Sequence, residues 1–580
     1  MPSTHRPRWA LWTAVALCGL WLSACQPATG PGLTVGGAWP PARPGHLSSC
    51  EALAASLSLP NTQVLSSERV AFGVVKQGEN AVPEHCLVKG RMHERKGADG
   101  RDYAIGFEMR LPTAWNGRFY YQGNGGLDGT VHPALGALGG GPLTGALMQG
   151  FAVISSDAGH SGPQTPFFGL EPQARLDYGY QAVAKLTPMA KDLIRAAYGR
   201  GPDRSYIGGC SNGGRHAMVA AARLGEQYDG YLIGAPGYRL PNAALAQLWG
   251  AQQWASLATP GASIPHPMNP NASIPDLGSA LTVQERQVLA RSVLGQCDAL
   301  DGVRDGMVQA TQACQAVFSI DAVPTCSGAR TGSCLTPAQK KVLIAVHAGG
   351  HTATGQRIYS AFPWDTGVAA SNWAQWKFVN AIALDPLSVG TVFTAPPAGK
   401  IDPFSADVAT LLAQVTATSD THQESGLSLM TPPGHEHPVN LTPLRERGAK
   451  MVLYHGVSDA IFSAEDTRQW LERLNQAQGG RADDLARYFP VPGMNHCSGG
   501  PASDQFDLLS ALVQWVEQGV KPQAVMAQVR GVGNGGGANT ELPADWSAQR
   551  SRPLCAYPTV ARYRGTGSIE DAASFTCQQP

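Results

Sequence analysis

One short glycine-rich segment, Gly208–Gly214, constrains the fold of this chain more than any other feature. It contains the pattern G-x-S-x-G with Ser211 at its centre; a strand-like run precedes it and a helical run follows it. A serine in this position is typical of a strained strand-to-helix turn, where flanking glycines let the backbone fold without side-chain clashes. The pattern predicts an exposed nucleophilic serine, and a glycine-rich turn with an ordinary surface serine is the alternative.

Strand-like and helical runs alternate on both sides of this motif. Apolar β-forming runs predict strands at 103–111, 118–122, 151–155, 205–208, 450–454 and 488–491, and helical periodicity predicts helices at 178–198, 214–224 and 506–516. This alternation predicts an α/β fold with a parallel sheet. Between Gly237 and about Val439 the alternation stops, and this stretch, which holds four cysteines and many turn residues, is predicted to be an inserted subdomain.

A serine nucleophile needs an acid and a histidine base, which follow it in that order in this kind of fold. Asp459 lies in a loop after the strand predicted at 450–454, and His496 lies in a loop after the strand predicted at 488–491. We therefore predict that Ser211, Asp459 and His496 are catalytic, with Asp466 as the second choice for the acid. A histidine in a loop is more often an ordinary surface residue, so the prediction needs a second observation.

Two cysteines supply that observation, since Cys210 adjoins Ser211 and Cys497 adjoins His496. If they form a disulfide, their Cα atoms lie within about 7 Å of each other, which places His496 next to Ser211. The other cysteines after residue 25 form local couples: Cys50 with Cys86, Cys297 with Cys314, Cys326 with Cys334, and Cys555 with Cys577. These pairings are hypotheses, because spacing alone does not determine connectivity. Zinc binding is the alternative, but the sequence has no C-x-x-C pair.

Two backbone N–H groups are candidates for binding the oxyanion that forms when a serine attacks a carbonyl. One belongs to Asn212, where the helix after the motif begins. The other comes from the loop Gly123–Gly126, in which we favour Gly126. A plain turn after a strand is the alternative for that loop.

The first 24 residues are predicted to be a signal peptide. Arg6 and Arg8 precede an apolar stretch, Ala10–Leu22, that is too short for a comfortable membrane span. The end of this stretch resembles a bacterial lipobox, so we expect cleavage before Cys25 and lipidation of that residue; an ordinary secretory signal is the alternative. Residues 25–45 are rich in Gly, Pro and Ala and are predicted to be a tether. We expect an exported protein, held at the bacterial envelope or secreted, that contacts a membrane only through lipid.

The charge balance excludes one large class of partner. Lys+Arg and Asp+Glu both number 43, so the formal net charge is zero, whereas nucleic-acid binding needs a basic surface. A chain with 15% charged and 43% hydrophobic residues is not expected to be disordered. We expect a folded monomer whose partner is a small molecule and not a nucleic acid.

Longer strings around these residues resemble the tannase/feruloyl esterase family. They are NGRF at 116–119, GLEPQARLD at 169–177, GAPGY at 234–238 and PGMNHCSGG at 492–500, together with the Cys-Ser and His-Cys pairs. The resemblance covers most of the chain after the tether. It implies an α/β-hydrolase core formed by residues 46–236 and 440–580. It also implies a large lid, residues 237–439, that closes over an aromatic acyl group.

The same resemblance implies a structural calcium ion. In the family a loop like the one at 298–307 binds Ca²⁺, which here implicates the side chains of Asp298, Asp301 and Asp305 and the carbonyl groups of Val303 and Met307. Three carboxylates on a short glycine-containing loop supply the hard oxygen ligands that calcium prefers. The spacing is not that of an EF-hand, and a solvated acidic turn is the alternative.

Three further residues match the family's substrate pocket, namely Trp376, His455 and Phe462. Core packing is the alternative for all three. Family members that cleave terephthalate half-esters carry a glutamate after the nucleophile, where this chain has Asn212. The backbone donor at that position is retained, but the side chain differs.

Those members also use a lid arginine to bind the free carboxylate of the half-ester. Here no arginine occurs between Arg357 and Arg445, and only Lys377 and Lys400 are basic in that stretch. Lysine does not reproduce the bidentate contact of a guanidinium with a carboxylate. Strict specificity for terephthalate half-esters is therefore not predicted.

The sequence predicts a secreted serine carboxylic ester hydrolase that cleaves aromatic acid esters of the feruloyl, galloyl or mono(2-hydroxyethyl) terephthalate type through an acyl-enzyme. A peptidase or a general lipase of the same fold is one alternative. The alternative from another class is a calcium-stabilised surface binding lipoprotein with a degenerate hydrolase fold.

Overall fold

The computed structural model describes residues 40–47, 49–136, 140, 145–435 and 441–580. The predicted signal peptide, the predicted lipidation site Cys25 and residues 25–39 of the predicted tether lie outside these ranges. The predicted boundary between insertion and core at Val439 lies outside them as well.

A central sheet organises the described part of the chain. Its nine strands are β1 Thr62–Val70, β2 His85–Lys96, β3 Asp102–Pro112, β4 Arg118–Gln122, β5 Ala152–Ser156, β6 Arg204–Cys210, β7 Gly230–Gly234, β8 Lys450–Gly456 and β9 Ala486–Val491. They lie in the order β9-β8-β7-β6-β4-β5-β3-β2-β1. The strands from β9 to β5 are parallel to their neighbours, with Cys210 of β6 opposite Gly234 of β7. The predicted parallel sheet is therefore confirmed around the motif.

The strand predicted at 103–111 differs from that expectation, because β3 runs antiparallel to β5 and β2. The connection from β2 to β3 spans only residues 97–101, which is too short for the crossover that a parallel pair requires. Strands β1 and β2 extend this antiparallel edge and were not predicted.

Helices cover both faces of the sheet. Those of eleven or more residues are α1 Ala182–Tyr198, α2 Asn212–Arg223, α3 Leu240–Ala255, α4 Val283–Cys297, α5 Pro337–His347, α6 Ala464–Ala477 and α7 Leu508–Gln518. The predicted helix at 178–198 begins with a wider turn, Asp177–Gln181, before α1. None of the helices in the described ranges is both long and apolar enough to cross a bilayer.

The core forms on the two faces of the sheet because successive strand residues point to opposite sides. Tyr206 and Leu232 pack with the apolar face of α7, while their neighbours Ile207 and Ile233 pack with α1 and α2 on the other face. All four side chains are buried. This double cover holds the end of β6, where the motif begins, in a rigid frame.

The insertion after β7 has apolar packing of its own. Trp254, Leu289, Leu343 and Phe378 belong to a cluster formed almost entirely by residues of the insertion. Helix α3 also contributes Leu245 to the main core, and the described residues from Pro40 onward form one compact unit. The division of the chain into separate core and lid domains stays a prediction.

Candidate active site

Ser211 occupies the single-residue turn between β6 and α2, with φ +64° and ψ −127°. A positive φ is strained for a residue with a side chain and recurs at functional sites. A Cβ atom on Gly213 would lie 2.2 Å from the carbonyl oxygen of Gly123, and one on Gly214 would lie 2.1 Å from that of Gly234. Only glycine fits at these two positions, so the spacing of the motif is a packing requirement of the turn.

The structure brings the three predicted catalytic side chains into one hydrogen-bonded chain. His496 Nε2 lies 2.8 Å from Ser211 Oγ. His496 Nδ1 lies 2.7 Å from Asp459 Oδ2. Ser211 is partly exposed, whereas Asp459 and His496 are buried. The hydroxyl can therefore meet a substrate while the acid stays shielded from water.

The surroundings of Asp459 keep it ionised. Its Oδ1 accepts hydrogen bonds from the N–H groups of Ile461 and Phe462 at 2.9 and 3.0 Å, and His455 Nε2 lies 3.3 Å from Oδ2. Burial opposes ionisation, but the proximity of His496 and the hydrogen bonds of both imidazoles hold the pKa of this carboxyl below its usual range. An ionised acid can orient the imidazole and stabilise its positive charge.

The second choice for the acid, Asp466, lies in a different contact. It forms an ion pair with Arg239 and accepts a hydrogen bond from Ser360 Oγ at 2.6 Å. Burial is outweighed by the charge of Arg239, so the pKa of the Asp466 carboxyl is also lowered. The structure thus places Asp459, and not Asp466, against His496.

The ten cysteines of the described ranges form the five predicted disulfides: Cys50–Cys86, Cys210–Cys497, Cys297–Cys314, Cys326–Cys334 and Cys555–Cys577. The bond between Cys210 and Cys497 joins residues 287 positions apart, with a Cα–Cα distance of 6.0 Å. It ties the turn that carries Ser211 to the loop that carries His496. The zinc alternative is therefore excluded for these cysteines.

We expect the double substitution Cys210→Ser/Cys497→Ser to lower kcat about 10- to 100-fold, because a shift near 1 Å in a reacting group can cost about 100-fold in rate. It should also lower the free energy of unfolding by about 2–5 kcal/mol. Cys326→Ser/Cys334→Ser removes a disulfide within the insertion and is the matched control, for which kcat should stay unchanged. Steady-state kinetics and urea unfolding check both effects, and equal kcat values for the two variants would contradict the expectation.

Of the two predicted oxyanion donors, Asn212 directly follows Ser211, and the loop Gly123–Gly126 that carries the other contacts the same turn at Gly213. Asn212 is the first residue of α2, so its N–H belongs to the first helical turn, where amides have no partner within the helix. Gly126 is exposed and adopts φ +63°, and a Cβ atom at this position would meet no other group within 4 Å. Gly123, at the start of the same loop, lies against Gly213 closely enough that a side chain would clash.

Two of the three predicted pocket residues pack against the candidate base. The ring of Trp376 lies 5.2 Å from that of His496 in an edge-to-face contact, and the ring of Phe462 lies 5.3 Å from it. Trp376 is partly exposed, whereas Phe462 is buried. His455 differs from the prediction, because it is fully buried behind Asp459 and bonds to Thr467 Oγ1 at 2.9 Å. It supports the acid instead of lining an accessible pocket.

Lys377 lies next to Trp376 in the chain but points away from the candidate pocket. Its side chain is buried, with Nζ 3.7 Å from the ring centroid of Phe362. It lines a small internal cavity together with Asp459, Asp365 and His347. Burial lowers the pKa of the ammonium to about 7, although Asp459 and Asp385 oppose the shift. Lysine at this position cannot replace an arginine that binds a substrate carboxylate.

Lys377→Met is expected to raise the free energy of unfolding by about 1–3 kcal/mol at pH 6, because the buried ammonium no longer has to be desolvated. The gain should shrink at pH 9. Lysine in the unfolded chain titrates near 10.4, so between about pH 7 and 10 the unfolded state binds more protons and the wild type gains stability as pH rises. Urea unfolding at both pH values checks this. The exposed Lys400→Met is the control and should change little, and destabilisation by Lys377→Met at pH 6 would contradict the expectation.

The predicted calcium loop lies between the bonded Cys297 and Cys314. Asp298 Oδ1 accepts the N–H groups of Asp305 and Gly306 at 3.2 Å, and Asp301 Oδ1 accepts that of Val303 at 3.2 Å. Asp301 Oδ2 is buried and has no hydrogen-bond partner in the described structure. Burial and then the nearby Asp305 raise the pKa of Asp301 to about 7.

Asp305 has a partner that the sequence did not reveal, since it forms a fully buried ion pair with Arg552, 247 residues away. Within the described ranges, no three carboxylate, imidazole or thiolate groups are gathered so that they alone could hold a metal ion. A calcium ion in this loop would need the carbonyl oxygens of Val303 and Met307 as additional ligands.

A set of polar residues with buried side chains lies beside the nucleophile and was not predicted from the sequence. Asp128, Arg215 and His216 surround the side chain of Asn212. Arg215 and His216 lie one helical turn after Ser211, and polar residues on the buried side of a predicted helix could have drawn attention. No local signal marks Asp128, which lies 84 residues before Asn212.

The chain is similar to known proteins over most of its length. A family model described as "Tannase and feruloyl esterase" matches residues 86–578. The chain is 37% identical over 541 residues to mono(2-hydroxyethyl) terephthalate hydrolase of Piscinibacter sakaiensis, a match that covers 86% of each chain.

Two solved structures share the fold. Feruloyl esterase B from Aspergillus oryzae superposes with a TM-score of 0.71 at 24% identity, covering 91% of this chain and 99% of that one. Tannin acyl hydrolase from Aspergillus niger gives 0.66 at 20% identity, covering 93% and 97%. This shared fold, a mixed sheet with helices, is consistent with the α/β-hydrolase core that the resemblance implied. The chain belongs to the tannase and feruloyl esterase family of carboxylic ester hydrolases.

Proposed function

We propose that this protein is a serine esterase that acts through an acyl-enzyme formed on Ser211. The observation that carries the proposal is the continuous chain of contacts from Ser211 Oγ through His496 to Asp459, with distances of 2.8 and 2.7 Å. A nucleophile, a base and an orienting acid within hydrogen-bond reach are what nucleophilic catalysis of acyl transfer requires.

In the proposed mechanism, Ser211 Oγ attacks the ester carbonyl while His496 Nε2 accepts its proton. The imidazolium then donates that proton to the oxygen of the leaving alcohol, and the acyl group stays on the serine. Water attacks the acyl-enzyme with the same imidazole as base, and the acid product leaves. Asp459 remains ionised and holds the Nδ1–H of the imidazole throughout.

The negative charge that develops on the carbonyl oxygen would be met by the N–H groups of Asn212 and Gly126. Both belong to elements that contact the Ser211 turn, and Gly126 itself is exposed, with open space where a Cβ atom would lie. Removing one such donor typically costs about 100- to 1000-fold in kcat.

Aromatic acid esters are the proposed substrates. The ring of Trp376, which belongs to the insertion, packs on His496 of the core, so the insertion reaches the reacting groups and can serve as a lid. Relatives named as feruloyl esterase, tannin acyl hydrolase and mono(2-hydroxyethyl) terephthalate hydrolase support an aromatic acyl group. Because Lys377 is buried away from the pocket, we propose uncharged feruloyl or galloyl esters as better substrates than a terephthalate half-ester.

Two measurements test this function. A fluorophosphonate should label Ser211, as intact mass and peptide mapping would show, and the labelled protein should lose its activity. Methyl ferulate, methyl gallate and mono(2-hydroxyethyl) terephthalate then rank the acyl groups, while a peptide amide and a long-chain ester test the peptidase and lipase alternatives. A folded protein without an adduct at Ser211 would leave the surface binding lipoprotein as the better explanation.

We also propose that the loop at 298–307 binds calcium through the residues predicted above. The unpartnered buried oxygen of Asp301 is the feature that supports a cation here, and carboxylate and carbonyl oxygens are the ligands that calcium prefers. Adding Ca²⁺ to chelator-treated protein should raise Tm by a few degrees, since saturation at 100 times Kd contributes about 2.7 kcal/mol. Asp301→Ala should abolish the shift, and an equal shift in that variant would refute the site.

We also propose that the protein is exported and carries a lipid on Cys25. The five disulfides favour an oxidising compartment. In a bacterial host given a palmitate analogue, the wild type should become labelled and Cys25→Ala should not. Label retained by Cys25→Ala would place the lipid elsewhere.

A further inference from the structure

The side chain of Asn212 lies in a buried polar cluster on the inner side of the nucleophile turn. Arg215 Nε donates to Asn212 Oδ1 at 2.6 Å, and Asn212 Nδ2 donates to Asp128 Oδ1. His216 Nε2 lies 3.2 Å from the same oxygen of Asp128. We call these four residues, Asp128, Asn212, Arg215 and His216, the relay cluster.

An amide suits the middle position of the relay cluster because its two ends have opposite hydrogen-bonding character. The carbonyl oxygen accepts from a guanidinium that is fully buried, and the amino group donates to a carboxylate whose side chain is 2% exposed. Arg215 is held further by the carbonyl oxygens of Gly179 and Tyr178 at 2.7 and 2.9 Å. Buried charges in such a network have few alternative positions, because each unpaired polar group would incur a desolvation cost.

Asp128 also closes the loop that carries the other predicted oxyanion donor. Its N–H donates to the carbonyl oxygen of Gly125 at 3.2 Å, so residues 125–128 form a tight turn with Gly126 inside it. Asn212 Nδ2 lies 3.5 Å from the carbonyl oxygen of Asn124, at the start of that turn. One carboxylate thus contacts the first turn of α2 and belongs to the loop of Gly126.

We propose that Asp128 is a positioning residue that holds the N–H groups of Gly126 and Asn212 at a fixed separation, through its contact with the Asn212 side chain. This inference rests on the proposed function, because it concerns how the transition state of that reaction is bound. Oxyanion donors act only where they lie within about 2.7–3.1 Å of the developing charge. A link between the two elements that carry them therefore affects the transition state more than the bound ester.

The inference predicts a specific kinetic signature for Asp128→Ala. We expect kcat to fall about 10- to 100-fold, less than the loss of a whole donor, while KM changes by no more than about 2-fold. Inhibition by an aryl trifluoromethyl ketone, which forms an oxyanion adduct with a serine, should weaken by the same factor as kcat/KM. A residue with only a structural role would not separate analogue binding from KM in this way.

A double-mutant cycle tests whether Asp128 acts through the side chain of Asn212. Asn212→Ala keeps the backbone N–H but removes the side-chain contact with Asp128. The double variant Asp128→Ala/Asn212→Ala should therefore be no less active than the less active of the two single variants. If Asp128→Ala does not fold, Asn212→Ala alone must show the split between kcat and KM. Asp157→Asn is the matched control: it changes a half-buried carboxylate in the next loop that accepts the N–H groups of Gly106 and Gly159, and it should leave kcat within about 2-fold of wild type.

The possible results separate this inference from the proposed function. A wild type that neither reacts with a fluorophosphonate nor hydrolyses any ester would defeat the proposed function. An active wild type with an equally active Asp128→Ala, unchanged analogue inhibition, or losses that multiply in the double variant would overturn the role of Asp128 alone.

Discussion

Ser211→Ala is expected to lower kcat for ester hydrolysis about 10⁶-fold, and His496→Ala should lower it by a similar factor. The two groups share one proton across 2.8 Å, so neither can form the acyl-enzyme without the other. For the same reason the double variant Ser211→Ala/His496→Ala should lose no more activity than either single variant. Kinetics with a chromogenic aryl ester, together with fluorophosphonate labelling, measure this.

Ser463→Ala is the matched control for that loss. Ser463 is a buried serine that caps α6 by accepting the N–H of Glu465 at 3.1 Å, so its removal should lower stability by about 1 kcal/mol and leave kcat unchanged. The comparison separates loss of chemistry from loss of folding. More than one per cent of wild-type kcat in Ser211→Ala would show that another group is the nucleophile.

Asp459→Asn is expected to lower kcat about 10⁴-fold, the second largest effect. Asp459 Oδ2 accepts the Nδ1–H of His496, and an amide that turns its amino group toward that nitrogen favours the wrong tautomer. The carboxylate also stabilises the imidazolium, which a neutral amide does not. The loss should appear in kcat with little change in KM, because Asp459 is buried and away from the substrate.

Asp466→Asn should give the opposite pattern. Its carboxylate is buried in an ion pair with Arg239, and breaking such a pair typically lowers stability by about 3–5 kcal/mol. Measured at a temperature where the variant stays folded, kcat should remain near that of the wild type. If Asp466→Asn loses kcat and Asp459→Asn retains it, the assignment of the acid is wrong.

Much of the fold and the site was predictable because the determining constraints are local. The glycines of the motif are required by contacts across a single turn, and β6 and α2 follow from apolar periodicity next to it. Cys210 and Cys497 indicated the long-range contact between the loops of Ser211 and His496, because a disulfide limits the distance between two loops wherever they lie in sequence. The antiparallel strands β1 and β2 escaped prediction because their long polar stretches lack a clear apolar alternation.

The sequence by itself determined the nucleophile turn and the order of the triad residues, because each rests on a pattern within a few residues. It gave the five disulfide pairings only as hypotheses, which the structure confirmed. Only the tertiary structure decided that His455 supports Asp459, that Lys377 turns into the interior, that Asp305 pairs with Arg552 and that Asp128 reaches Asn212. Each of these contacts depends on which polar groups become buried beside one another. Burial depends on how the whole chain packs, so no local pattern records it.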